Sequence, residues 1–235
     1  MARVARAASR EFDLSREALR QLNRYLHKDA VREGVKSVHV HHPDGAHSVA
    51  CGLDADLDVD IFGHVGYYVA GMNQHATVTV HGSAGPGAAE NMMSGRVHIK
   101  GFASTAAGAS AHGGLLIIDG DASLRCGISL KGGDIVVGGS VGSFAAFMAQ
   151  AGRIVICGDA QDALGDSLYE AVIYVRGSVR SLGSDARFEP MTQTDLSAVS
   201  ELLAQSGMSH PASAFKRVAS AKKLYHWHAD ADQEY

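Results

Sequence analysis

Gly63, Gly82, Gly101, Gly120, Gly139, Gly158 and Gly177 stand 19 residues apart without exception, and each ends a short aliphatic run. Aligned as DVDIFG, TVTVHG, RVHIKG, LLIIDG, DIVVGG, RIVICG and VIYVRG, the runs share two apolar columns. The first holds Val59, Val78, Val97, Leu116, Ile135, Ile154 and Ile173, and the second Ile61, Val80, Ile99, Ile118, Val137, Ile156 and Val175. Alternating β-branched residues that stop at glycine describe a strand with one buried face and a bend at its end. Two residues past each glycine comes Val65, Ala84, Ala103, Ala122, Val141, Ala160 or Val179, small and apolar as a tight corner requires. Self-similarity at a short fixed period marks a solenoid, and this period is too short for helix pairs and lacks the Leu and Asn spacing of leucine-rich repeats. The pattern therefore predicts an all-β fold: a single-stranded right-handed parallel β-helix of about seven coils with short flanking α-helices. At roughly 4.8 Å per coil, six steps make a rod about 29 Å long.

The rest of each coil is looser but still patterned. Gly95, Gly114, Gly133 and Gly152 close four coils, with Ala76 and Ala171 in the same place in two others, and Ala70, Ala89, Gly108, Gly127, Ala146 and Gly165 recur midway. Small residues suit corners where stacked backbones approach closely. A phosphate-binding glycine loop would have to open a helix. No helical pattern follows any of these positions, so the glycine columns read as structural.

Three regions follow. Residues 1–37 form an N-terminal helical segment, 38–190 the β-helix domain, and 191–235 a C-terminal helix and tail. Leu14, Ala18, Leu19, Leu22, Tyr25 and Leu26 recur at helical spacing. The stripe of Leu19, Leu22 and Leu26 can seal the open end of the solenoid or dock a partner. The stretch DLSAVSELLAQSGMS predicts a second helix with Leu196, Val199, Leu202 and Leu203 on one face. The tail holds Leu224, Tyr225 and Trp227, the only tryptophan, as a further candidate contact surface.

Composition excludes several roles. With 21 basic and 25 acidic residues interspersed, the chain has no electrostatic footprint for nucleic acid or anionic membrane, and neither partner is expected. There is no apolar run of about 18 residues and no signal-peptide core, so a cytoplasmic location is expected. Cys51, Cys126 and Cys157 are too few and too scattered for a disulfide framework or a cluster motif, and read as free thiols.

The candidate chemistry is thin. His39, His41, His42 and His47 crowd the entry to the repeats, and strand alternation puts His39 and His41 on one face, a two-ligand geometry without an obvious third ligand. His226 and His228 form a second alternating pair. No metal is expected. Asp119, Asp121, Asp159, Asp162 and Asp166 cluster near the glycine turns. Asp121 and Asp159 share a column two coils apart, about 9.6 Å, with Ser140 between, which is wide for a catalytic carboxylate pair and reads as solvated turn acids. A nucleophile elbow, a phosphate loop, a zinc signature and a cysteine at position 2 are all missing, so no catalytic residue is assigned.

The glycine-punctuated coil, running from TVTVHG through RVHIKG to VIYVRGSVRSLG, resembles the GXGXG β-helix domain at the C-terminus of glutamate synthase large subunits, over about residues 38–190. Standing free, with the preceding helix LSREALRQLNRYLH and the tail SAKKLYHWH, it is most similar to the glutamate-synthase domain-3-like subunits of N-methylglutamate synthases, the methylamine-glutamate N-methyltransferases. The resemblance implies a non-catalytic subunit in a complex that makes N-methylglutamate from glutamate and methylamine. An amidotransferase-like subunit would carry the nucleophile, and a synthase-like subunit would carry FMN and an iron–sulfur cluster, with no cofactor on this chain. Two other readings stay open. One is the glycine-rich β-helix subunit of a formylmethanofuran dehydrogenase or formyltransferase/hydrolase complex. The other is a stand-alone carbohydrate-active β-helix enzyme using the Asp column.

Overall fold

A computed structural model describes residues 9–222. Strand β1 (Ser9–Asp13) is followed by α1 (Leu19–Arg24), a π-helical turn (Tyr25–Asp29) and α2 (Ala30–Glu33), which run on as one rod. Then come β2 (Ser37–His41), β3 (Asp58–Phe62), β4 (Thr77–Val80), β5 (Arg96–Ile99), β6 (Leu115–Ile118), β7 (Lys131–Val137), β8 (Ala151–Ile156) and β9 (Val172–Val175). These strands pair in chain order, all parallel, with β1 parallel on β2. The solenoid is thus a parallel β-solenoid of about seven coils. Its sheet ends differently: β11 (Lys216–Ser220) lies antiparallel on β9, and β10 (Ala186–Glu189) antiparallel on β11. Among the described residues no helix is long and apolar enough to cross a membrane.

Both apolar columns predicted from the repeat are in register and buried. The corner column forms a second ladder, Val65 to Ala84 to Ala103 and onward to Val179, by single parallel bridges. The remaining side of each coil is a chain of left-handed residues at two-residue intervals: Tyr68, Ala70 and Met72 in one coil, Phe144, Ala146 and Met148 in another. Such backbone is rare for residues other than glycine. It persists because its N–H groups bond alternately to the coil before and the coil after, as in Ala70 N to Val49 O at 3.0 Å and Met72 N to Glu90 O at 2.8 Å. Only small residues fit the inward position. A Cβ on Gly108 would sit 2.6 Å from Ile135 Cδ1, and one on Gly127 2.5 Å from Ile154 Cδ1.

The 19-residue glycines are needed for close approach. The N–H of Gly101, Gly120, Gly139, Gly158 and Gly177 each donates to the carbonyl of the glycine one coil earlier, at 2.8 to 3.0 Å. A Cβ on Gly82 would lie 2.3 Å from Gly63 O, and one on Gly177 2.4 Å from Gly158 O.

Two flanking elements complete the core. Leu22, Leu26 and Ala30 of the N-terminal helix are fully buried against the first coils. At the other end of the chain, α3 (Gln193–Ser206) starts at a capping box in which Asp195 N donates to Thr192 Oγ1 and Thr192 N to Asp195 Oδ2, and it stops at Gly207 in the left-handed region. Val199, Leu202 and Leu203 of α3 pack on the outer face of β6–β9, against Ile117, Val136, Val155 and Tyr174. That contact explains a change along the repeat. In β3, β4 and β5 alternate residues face solvent, whereas LLII, IVV, IVI and IYV are buried on both faces.

Candidate functional site

Beyond α3, the outer sheet face over β1–β5 is not covered by any described element, and it carries a cluster of histidines and carboxylates. Register places Glu11, His39, Asp60, Thr79 and His98 in one outward column, and brings His41 beside Phe62 in the next. Glu11 holds two imidazoles at once, His39 Nδ1 at 2.7 Å on one oxygen and His41 Nε2 at 2.8 Å on the other. Those two contacts keep its carboxyl below the usual range, by hydrogen bonding first. His81 Nε2 lies 2.6 Å from Asp60 Oδ1. The Phe62 ring is sandwiched between His41 at 5.0 Å and His81 at 4.6 Å, both stacked nearly parallel to it. His42 and His47 stand apart from this group: His42 turns at the end of β2 with φ 54°, and His47 stacks on Tyr67 with its Nδ1 accepting the Tyr67 N–H.

The face ends in a cleft of about 360 Å³ under the C-terminus of α3, lined by Lys100, Asp119, Gly138, Ser206, Gly207, Met208 and His210. His98 Nε2 is 2.6 Å from Asp119 Oδ1, and burial pushes this imidazole down while Asp119 partly restores it. Lys100 Nζ is 3.6 Å from Asp119 Oδ2. The hydroxyl of Ser206 is buried without a partner. Such a set can hold a proton and a small charged group. Among the described residues no group of three or more His, Cys, Asp and Glu side chains is arranged to hold a metal ion.

The Asp column has a different job. Ser140 N donates to Asp121 Oδ1 at 2.7 Å, Asp159 N to Ser140 Oγ at 3.0 Å, and Ser178 N to Asp159 Oδ1 at 2.7 Å. Each side chain after a glycine thus fastens the same position of the next coil, and the Ser178 N–H holds the Asp159 carboxyl below its ordinary value. The ladder begins earlier, with Ser83 N on His64 Nδ1 and Phe102 N on Ser83 Oγ. Phe102 interrupts it, having no acceptor to offer, and is exposed beside an open cleft of about 450 Å³. The sequence signal for this ladder is that every member except Phe102 carries an acceptor, although the bonds themselves depend on side-chain rotamers.

The cysteines do not form a cluster site. Cys126 and Cys157 are buried, and burial pushes their thiols up to about 12 and about 11, while the half-exposed Cys51 is also raised by burial. An iron–sulfur cluster needs several thiolates converging on one point, and these thiols do not fit it. Of the candidate interface residues, Leu22 and Leu26 are fully buried in the chain's own core and Leu19 packs against it. Leu224, Tyr225 and Trp227, and with them His226 and His228, lie outside the described residues.

No family model matches the chain. Protein GlxC of Rhizobium meliloti (strain 1021) is 55% identical to it over 224 residues, which is 95% of this chain and 98% of that protein. The chain belongs to the GlxC family. A match of that extent takes in the cap helix, every coil and α3, so the GlxC family shares the solenoid together with its flanks.

Proposed function

We propose that this GlxC-family chain is the non-catalytic β-helix subunit of a glutamate-synthase-like complex of the N-methylglutamate synthase type. In this reading it holds an amidotransferase-like subunit beside an FMN- and iron–sulfur-bearing synthase-like subunit, and the assembly makes N-methylglutamate from glutamate and methylamine. The cofactors belong to the partner, and neither nucleic acid nor membrane is a partner. One observation carries the scaffold role: the turn carboxylates that a β-helix enzyme would use, Asp121 and Asp159, are engaged in fastening coil to coil. The buried, protonated thiols support it, since the thiolate is the reactive form.

The test is reconstitution from separately purified subunits. Coupled synthesis of N-methylglutamate should require this chain, and the purified assembly should show a flavin spectrum that the isolated chain lacks. Full coupled activity from the two partner subunits alone would end the bracing role, and molybdenum or tungsten in the native complex would point to the formylmethanofuran type. Asp121→Asn with Asp159→Asn should leave coupled activity within about twofold of wild type, whereas a carbohydrate-active enzyme relying on that pair would lose about a hundredfold or more.

A further inference from the structure

The N-terminal helix has two stripes, both at four-residue steps. Leu22, Leu26 and Ala30 point into the solenoid, and Arg20, Arg24 and Lys28 point to solvent. In a plain α-helix a four-residue step overshoots one turn by about 40°, so such stripes would wind away from the surface they face. The π-turn at Tyr25–Asp29 takes more residues per turn and keeps both stripes straight. The outward stripe is also unneutralised. Most lysines and arginines among the described residues meet a carboxylate or a backbone carbonyl; Arg20, Arg24, Lys28, Arg125 and Lys131 meet neither, and the first three of these share this helix. The acids of the helix are engaged elsewhere: Glu17 with Arg10, Asp29 with Arg32, and Glu33 with the Tyr25 hydroxyl.

Beside Lys28 lies Val31, at 58% the most exposed large apolar side chain described, on the rim of a cleft of about 510 Å³. Val35 and Leu57 form part of its wall, and the acids there are Asp54 and Asp56, the latter paired with Lys36 at 2.9 Å. Resting on the reading that the chain works within a complex, we propose that this outward face docks an acidic segment of a partner subunit, its carboxylates along Arg20, Arg24 and Lys28 and one apolar side chain against Val31 in the cleft. Charge complementarity sets the spacing. Steps of about 6 Å along the helix match acids four apart on a helix or two apart on a strand.

The experiment uses the complex from the cells the chain comes from, isolated through a tag on the full-length wild type and on R20E/R24E/K28E. Zero-length carbodiimide coupling, read by mass spectrometry, should join Lys28 to an aspartate or glutamate of a co-purifying subunit. The wild-type Kd for that subunit should weaken roughly tenfold or more between about 0.05 M and about 0.5 M NaCl. In the reversed variant the affinity at low salt should fall by at least about tenfold and the salt dependence should flatten, with the circular dichroism of the solenoid unchanged. Val31→Asp, which spares all three cations, should weaken binding while leaving the salt slope steep. Assembly of the triple variant with wild-type affinity overturns the proposal, as does a wild-type stripe found on nucleic acid or anionic vesicles in place of a subunit. A cross-linked partner bearing FMN upholds both the docking and the function it rests on. A cross-linked subunit from an assembly that holds no FMN upholds the docking and overturns that function, and an FMN-bearing assembly indifferent to charge reversal does the reverse.

Discussion

At Gly82 a single hydrogen atom decides whether two coils can stack. A β-carbon there would meet Gly63 O at 2.3 Å, a backbone atom that cannot rotate away. At Gly34 a β-carbon would meet nothing within 4 Å, but φ is +68°. The two glycines therefore answer to different physics. Gly82→Ala should cost about 3 kcal/mol through overpacking, and Gly34→Ala about 1 kcal/mol through backbone strain, as read from urea unfolding midpoints. The Asp159 carboxyl offers a second test. Its pKa is lowered from 3.8 chiefly by the Ser178 N–H, so its contribution is present above that ordinary value and is lost as pH falls through the lower, folded value. Asp159→Asn should lower the urea midpoint at pH 7 and flatten its dependence on pH below about 4, so that the gap to wild type closes as the wild-type carboxyl protonates. The sequence marked Asp121 and Asp159 as one column, because column membership follows from the period. It could not show that they fasten coils, since that depends on side-chain rotamers meeting N–H groups 19 positions away.

Strands and helices were legible to different depths. The seven central strands follow directly from the repeat, because a fixed period, buried alternation and terminal glycine all point the same way. Strands β1, β10 and β11 carry no repeat signature; Lys216–Ser220 joins the sheet because β9 leaves an edge to be paired. Helix α3 was readable from its apolar face, but its seat was not. The clue lay in the repeats themselves, where TVTV and RVHI give way to LLII and IYV, since a strand apolar on both faces needs cover on both. Leu202→Ala should therefore cost about 2 to 4 kcal/mol, although it lies outside the solenoid. A loss below about 1 kcal/mol in urea unfolding would mean that α3 does not hold the outer face.

At the scale of the whole molecule, a solenoid opens from its ends, because each coil touches only its neighbours. The three thiols sample this at three depths. Cys51 is half-exposed near the capped end, Cys157 lies under α3 with its thiol 3.6 Å from Met208 Sδ, and Cys126 is sealed in the central core. Reaction with a disulfide reagent at pH 8 should proceed in the order Cys51, Cys157, Cys126. Weakening the stack by Gly82→Ala, away from the seat of α3 on β6–β9, should speed only Cys126, because release of α3 alone exposes Cys157. Cys126 should react through global unfolding in both proteins. If Gly82→Ala accelerates Cys157 as much as Cys126, the outer helix and the inner core open as one unit. The solenoid would then be a single cooperative body, in place of a stack whose cover comes away first.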